Sequence, residues 1–350
     1  MLFTLLTRNG VRNGANLAIR TASILKANSK LPFSSPVNFM STAMSTSYLL
    51  SPSQLRDEIS TGGVSILDAS WFMPNSPRKP LQEFQGKRIP GAQFLDLDEV
   101  ASTHELGLKH MMPSERVFAH ACEKLGIEPN SHVVIYDTHG VFSSPRALFM
   151  FRAFGHQKSS ILDGGLPRWE AEGFDTVGVP PAEGKTSTYP TPVFDRGTVR
   201  SYEQVVANSL SDPASDPIVE LVVDARSRGR FMGTDPEPRP GLSSGHIPHS
   251  YSLPFNTLLK THTAPNSSTQ YTTFLSVPEL RQALVDAIGA EQAELVITGK
   301  RPITTSCGSG MTAGVLWLGL RLLGAPKIAL YDESWTGYAS RTESRIDKAA

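Results

Sequence analysis

Cysteine is nearly absent, with Cys122 and Cys307 the two thiols in 350 residues. They can close at most one bridge, which excludes a disulfide-stapled secreted scaffold and fits an intracellular protein better. Net charge is absent too, since 33 basic residues stand against 33 acidic ones. Nothing global therefore draws the chain to nucleic acid or to an anionic membrane. Long apolar runs are also missing; Leu2-Phe3-Thr4-Leu5-Leu6 is too short for a membrane span or a secretory core. No spacing of His, Cys, Asp and Glu makes a metal site, and no Gly-x-Gly-x-x-Gly follows a strand. Neither a metal nor an organic cofactor is expected.

Acid is missing from one region in particular. No Asp or Glu precedes Asp57, while Arg8, Arg12, Arg20, Lys26 and Lys30 are spread among Leu, Ala, Ser, Thr and Asn. That composition reads residues 1–45 as a mitochondrial presequence, with an untargeted N-terminal tail as the alternative. Met40 and Met44 stand just before the folded region and permit a shorter cytoplasmic form by internal initiation.

What the chain does contain, it contains twice. Val64-Ser65-Ile66-Leu67-Asp68-Ala69 is answered by Leu221-Val222-Val223-Asp224-Ala225, and Arg88-Ile89-Pro90-Gly91-Ala92 by His246-Ile247-Pro248-His249-Ser250. The apolar run Val133 to Asp137 has its counterpart between Leu295 and Cys307. Terminal strands at Ser160–Gly165 and Ala329–Ser334 are each followed by a tryptophan, Trp169 and Trp335. Helical patterns cover Ser114 to Leu125, Pro145 to Phe154, Val277 to Ile288 and Ala313 to Leu323. Ser227 to Pro240 and Leu259 to Tyr271 read as loops. Short apolar strands alternating with helices predict an α/β fold: two tandem domains, each a mostly parallel sheet with helices on both faces. The expected boundaries are 46–180 and 199–345, joined by a proline-containing linker over 181–198. A single doubly wound sheet is the rival, and it leaves the repeat unexplained.

The halves differ after their central strands. The second carries Thr304-Thr305-Ser306-Cys307-Gly308-Ser309-Gly310-Met311-Thr312-Ala313; the first carries Asp137-Thr138-His139-Gly140-Val141-Phe142-Ser143-Ser144, without a thiol. Two glycines let the loop turn tightly, and a helix start beside it adds partial positive charge. Cys307 is therefore the expected nucleophile, held as a thiolate in the second half. Cys122 falls in a helical pattern and reads as core. A cysteine phosphatase would need arginine at the sixth place after its cysteine, and Ala313 stands there. A ring of N–H groups from Gly308, Ser309, Gly310, Met311, Thr312 and Ala313 suits a smaller anion, the outer sulfur of a persulfide. Covalent catalysis would follow in two steps, Cys307 taking a sulfur from a donor and passing it to an acceptor thiolate or cyanide.

These residues resemble the rhodanese-like sulfurtransferases over about residues 48 to 340, and within them the 3-mercaptopyruvate sulfurtransferases. Cys307-Gly308-Ser309-Gly310-Met311-Thr312-Ala313 is similar to the family's Cys-Gly-Ser-Gly-Val-Thr-Ala, with Met311 as the departure. Thiosulfate-specific relatives typically carry Arg and Lys after the cysteine; Gly308 and Ser309 stand there. The resemblance implies that Arg230 and Arg239, in the segment from Asp224 to Arg239, grip the carboxylate and carbonyl oxygens of mercaptopyruvate. Arg226 and Arg228 are expected to be structural or exposed. It also implies that Ser309 works with His110 and Asp98 from the first half; a purely structural His110 at the interface between halves stays open beside it. His139 is a cleft residue without a role, and His246 is expected in a turn.

Three departures fall in or near the expected cleft: Arg88 in place of histidine, a 137–144 loop about two residues shorter than in many relatives, and the small Thr336-Gly337-Tyr338 after Trp335. The implied reaction is sulfur transfer from 3-mercaptopyruvate with release of pyruvate. A thiosulfate donor, or a protein-to-protein sulfur relay, is the alternative. Small-molecule donors and acceptor thiols are the expected partners, with thioredoxin, glutathione or cyanide implied as acceptors, and the chain is expected to be a monomer.

Overall fold

The computed structural model describes residues 47–179, 186–264 and 268–348. The expected leader and the first residues of the expected linker lie outside the described residues. The first half contains strands β1 (Leu49–Leu50), β2 (Val64–Asp68), β3 (Gln93–Phe94), β4 (His132–Tyr136) and β5 (Ser159–Leu162). Its helices are α1 (Pro52–Thr61), α2 (Pro80–Gly86), α3 (Glu115–Lys124), α4 (Ser144–Ala153) and α5 (Gly165–Ala171). The second half begins with β6 (Val199–Arg200), α6 (Tyr202–Asn208), β7 (Leu221–Asp224), α7 (Arg228–Met232) and β8 (Tyr251–Ser252). It continues with β9 (Leu259–Thr263), β10 (Gln270–Phe274), α8 (Val277–Ile288) and α9 (Ala290–Ile297). It ends with β11 (Ile303–Ser306), α10 (Ala313–Leu322), β12 (Ile328–Tyr331) and α11 (Ser334–Ala339).

The repeat is real at the level of topology. One sheet runs β1-β5-β4-β2-β3 and the other β6-β12-β11-β7-β8, which is the same order. Every pairing in both is parallel. The central strands β5, β7, β11 and β12 are buried along their whole length, as strands covered on both faces must be. Even the opening helices start alike: Ser51 with Gln54, and Ser201 with Gln204, each form a reciprocal capping box.

Three expectations change. Ser227 to Pro240 contains the short helix α7, because Arg228 to Met232 holds no proline and the prolines follow it. Leu259 to Tyr271 is no loop: β9 and β10 form an antiparallel hairpin. Its Thr, Tyr and Phe residues are good strand formers, but their polarity hid the alternation. Leu295-Val296-Ile297 ends helix α9, so the counterpart of β4 is confined to Ile303–Ser306. The described part of the linker is pinned, with Tyr189 buried and its hydroxyl 2.8 Å from His156 Nδ1.

The halves pack through α4 and α10. A Cβ on Gly314 would lie 2.7 Å from the backbone nitrogen of Arg146, so only glycine allows this approach. Phe149 meets Trp317 edge to face at 5.3 Å, inside one apolar cluster that draws on both halves. The hairpin braces the other side, where Phe274 N–H donates to Asp163 Oδ1 at 3.0 Å. This packing brings the carboxyl end of β11 against loops of the first half.

Candidate active site

Cys307 is the first residue after β11, in the position that Asp137 holds after β4. The register makes the two equivalent: Asp68 pairs with Tyr136, and Asp224 with Ser306. In the first half the loop closes around the Asp137 carboxylate. His139 and Gly140 N–H donate to Oδ1 at 2.9 and 3.0 Å. Phe142, Ser143 and Ser144 N–H donate to Oδ2 at 2.9, 3.0 and 2.9 Å, and the Ser144 hydroxyl adds a bond of 2.7 Å. The loop after the central strand is thus an anion cradle, and the first half fills it with its own side chain.

In the second half the same place holds a thiol. Cys307 is 1% exposed and lines a cavity of about 490 Å3 between the halves. Its N–H donates to Ser334 Oγ at 3.0 Å, and the Ser334 hydroxyl donates to Tyr331 O at 2.8 Å. Ser334 reaches this place through a left-handed backbone, φ 49°. The N–H groups of Gly308 to Met311 meet no oxygen acceptor among the described residues. Gly308, Ser309, Met311 and Thr312 line the cavity with the thiol, and Ala313 opens α10.

Arg230 and Arg239 both line the cavity. A Cβ on Gly308 would stand 3.2 Å from Arg230 Nη2 and 3.5 Å from Arg239 Nη1, so a side chain there would crowd both guanidinium groups. This is a physical reason for a charge-free loop: the cations come from the facing segment. Arg230 is gripped by Glu237, with Nε to Oε1 at 3.1 Å and Nη2 to Oε2 at 2.5 Å. Glu237 also takes Arg226 Nη1 at 2.8 Å, and Arg226 chelates Asp224 beneath. Arg226 is therefore structural, and Arg228 is exposed. Arg239 makes no ion pair among the described residues; burial pulls its guanidinium below the ordinary arginine value, with Cys307 and Glu237 opposing and Arg230 adding to the fall. Glu237 is a site residue that the sequence patterns do not single out, although its setting between Pro236 and Pro238 marks a fixed position.

His110 and Asp98 also meet at this site. Asp98 Oδ1 lies 2.8 Å from His110 Nδ1, and Trp71 Nε1 donates to Asp98 Oδ2 at 3.3 Å. Burial opposes ionisation of Asp98, but the His110 bond and charge, with Trp71, outweigh it and lower its carboxyl below the usual range. The other ring nitrogen of His110 is 2.7 Å from the backbone carbonyl of Ser309, not from its hydroxyl. The expected row is closed through the main chain. Trp71, Met73, Phe142, Phe255 and Met311 make the apolar side of the cavity.

Several residues singled out in the sequence stand away from the cavity. Arg88 is buried against Phe84 and the carbonyl of Val179, away from the cavity. His139 lies between Phe72 and Phe142, and burial lowers its imidazole. His246 bridges to Asp347 and stacks on Phe231, as a structural residue. Thr336 closes the loop from below, its N–H on Gly308 O at 2.8 Å and its hydroxyl on the same oxygen at 2.5 Å. Cys122 is buried in the first-half core, where desolvation raises its thiol far above the usual range. Among the described residues no cluster of three His, Cys, Asp or Glu forms a metal site, and no helix is long and apolar enough to cross a membrane.

Twin parallel sheets, one ending in a carboxylate-filled cradle and the other in a thiol, define a tandem α/β protein built for chemistry at sulfur. The rhodanese-like domain model matches residues 51–172 and 206–341. The chain is 38% identical over 304 residues to thiosulfate/3-mercaptopyruvate sulfurtransferase 1, mitochondrial, of Arabidopsis thaliana, covering 81% of this chain and 74% of that protein. It is 36% identical over 283 residues to 3-mercaptopyruvate sulfurtransferase of Homo sapiens, covering 79% and 86%. The Tum1 crystal structure from Saccharomyces cerevisiae matches with TM-score 0.73 at 26% identity, covering 86% of this chain and 98% of that one. The chain belongs to the rhodanese-like sulfurtransferases, and its two halves are tandem rhodanese-like domains.

Proposed function

We propose that the protein takes sulfur from 3-mercaptopyruvate through a persulfide on Cys307 and releases pyruvate. The observation that carries this reading is the charge around the thiol. Arg226 and Arg230 are tied to Asp224 and Glu237, and Arg239 lines the cavity without an ion pair among the described residues. That balance suits a singly charged carboxylate better than doubly charged thiosulfate. Arg239 and the free face of Arg230 would hold the donor's carboxylate and keto oxygens.

The thiolate of Cys307 then attacks the donor's sulfur. An S–S bond forms, the C–S bond breaks, and its electron pair goes to carbon as an enolate beside the two guanidinium groups. The proton of the donor's thiol passes to that carbon, which gives pyruvate and leaves the outer sulfur as an anion. The outer sulfur rests as Cys–S–S⁻ against the loop N–H groups, the cradle that Asp137 fills in the first half. An acceptor thiolate or cyanide attacks this sulfur, and the Cys307 thiolate leaves. His110 and Asp98 assist by holding the Ser309 carbonyl and, through it, the loop.

Intact mass after incubation with each donor tests the reading. One added sulfur atom, lost on reduction and absent in Cys307→Ser, is the expected result. A higher kcat/KM for thiosulfate than for 3-mercaptopyruvate would replace the donor; the Arabidopsis relative, whose name carries both donors, makes that the second reading. The same relative's name and the acid-free leader support import into mitochondria. A reporter fused to residues 1–45 would then leave the cytosol, while a diffuse signal would refute import.

A further inference from the structure

Helix α4 of the first half carries two arginines, Arg152 in its last turn and Arg146 at its start, where an apolar run surrounds it. Arg146 stands in Ser144-Pro145-Arg146-Ala147-Leu148-Phe149-Met150-Phe151 and is 2% exposed. Its Nη2 donates to Asp332 Oδ1 at 2.6 Å and to the backbone carbonyl of His110 at 2.7 Å. Its Nη1 reaches the carbonyl of Gly310 at 3.4 Å. The second oxygen of Asp332 accepts Met112 N–H at 2.7 Å. One ion pair, a buried cation from the first half and a partly buried carboxylate from the second, thus holds the segment that bears His110 and the loop that bears Cys307.

The direction of these bonds matters. In a trans peptide the C=O of one residue and the N–H of the next point opposite ways. Four consecutive carbonyls of the cysteine loop are each held from outside. Cys307 O takes Trp335 N–H at 2.9 Å, and Gly308 O takes Thr336. Ser309 O takes His110, and Gly310 O takes Arg146. The following N–H groups, those of Gly308, Ser309, Gly310 and Met311, are thereby turned to the opposite side. Two of the four outer holds come from the second half and two from the first.

We propose that Arg146, with Asp332, is a positioning residue for sulfur transfer: it turns the peptide after Gly310 and seats His110 on the peptide after Ser309. The proposal rests on the persulfide reading above and deepens it by giving the first half a task. Without the pair, the second half still has its thiol and its donor arginines, but the cradle loses the two holds supplied from across the interface. The loss falls on stabilising charge at sulfur, not on gripping the donor, because Arg230 and Arg239 belong to another segment.

Arg146→Lys and Asp332→Asn, made in the full chain, test this. Lysine puts one nitrogen where Arg146 uses both Nη1 and Nη2, so it cannot span the same acceptors. The single amide oxygen left by Asp332→Asn cannot stand in both places that the two carboxylate oxygens fill, at Arg146 and at the Met112 N–H. Single-turnover persulfide formation is expected to slow roughly 10- to 100-fold, with donor KM changed by less than about threefold. Alkylation of Cys307 by iodoacetamide should need higher pH in both variants than in the native chain. A folded variant with native rate and native alkylation profile overturns the proposal. So does a rate loss that vanishes on cooling, or failure of both variants to fold, since either makes the pair purely structural. If the native chain takes up no sulfur from either donor, the persulfide reading fails, and the alkylation profile still judges Arg146.

Discussion

The imidazole of His110 lies 2.7 Å from the carbonyl oxygen of Ser309, and the Ser309 hydroxyl takes no part in that contact. A carbonyl only accepts, so Nε2 must donate, and the ring is held from behind by Asp98. The residue identity at 309 is therefore irrelevant to this bond. Ser309→Ala should keep it, whereas His110→Ala should free the loop carbonyl. We expect His110→Ala to lower kcat roughly tenfold more than Ser309→Ala does. Steady-state kinetics with saturating donor decides it. Equal losses would mean that the hydroxyl carries the contribution.

The two arginines proposed to hold the donor should fail differently. Arg239 is without an ion pair among the described residues, so Arg239→Ala removes a ligand group and leaves no partner stranded. Its loss should raise KM for 3-mercaptopyruvate roughly 10- to 100-fold, the worth of one or two charge-assisted hydrogen bonds. Arg230→Ala also deprives the buried Glu237 of one of its two cations. That variant should lose donor affinity and about 3 kcal/mol of stability together. Donor kinetics beside urea unfolding separates the cases. A destabilised Arg239→Ala, or an Arg230→Ala of native stability, would contradict the assignment.

Asp137 offers a test of the cradle without touching the thiol. Its two oxygens divide five backbone N–H groups and one hydroxyl between them. Asparagine keeps one oxygen, so one set of donors must face an amide NH2. Asp137→Asn is expected to lose at least ~3 kcal/mol in urea unfolding. Native stability would show that the loop does not need an anion.

Much of the fold and site is legible in the sequence, and the parts that are not share a cause. Cys307 between glycines, the paired Asp-Ala strand ends and the Arg230–Arg239 segment are side-chain patterns that spacing alone exposes. The Asp137 cradle is built from backbone N–H groups, which leave no trace in residue identities. Arg146 does leave one, a charge among apolar residues at the start of α4, but its partner Asp332 lies 186 residues away. The β9–β10 hairpin is hidden by threonines, which read as polar yet favour strands. Likeness alone places Arg88 in the cleft; its side chain turns instead to Phe84 and Val179.

The repeat also predicts a weakness. Asp68 and Asp224 end equivalent strands, but Asp224 is chelated by Arg226 while the first half has Ser70 at that place. Asp68 accepts the Ser70 N–H on one oxygen, with weaker pulls from the Ser70 and Tyr136 hydroxyls, and its other oxygen meets no close partner among the described residues. Burial pushes its carboxyl up from 3.8 to about 6. Between those values the folded chain binds this proton more tightly than the unfolded one, so folding stability falls as pH rises through the window. A rise of that size corresponds to roughly 3 kcal/mol, fully felt above about pH 6 and absent below about pH 4. Asp68→Asn removes the titration whatever fixed cost the amide adds. The difference in unfolding free energy between variant and native chain should therefore grow in the variant's favour by roughly 3 kcal/mol from about pH 4 to about pH 7. Other carboxylates, such as Asp98 with its lowered value, work in the opposite sense but are common to both proteins and cancel. A difference that stays flat across this range would mean that Asp68 is solvated or paired in a way the packing around β2 does not allow.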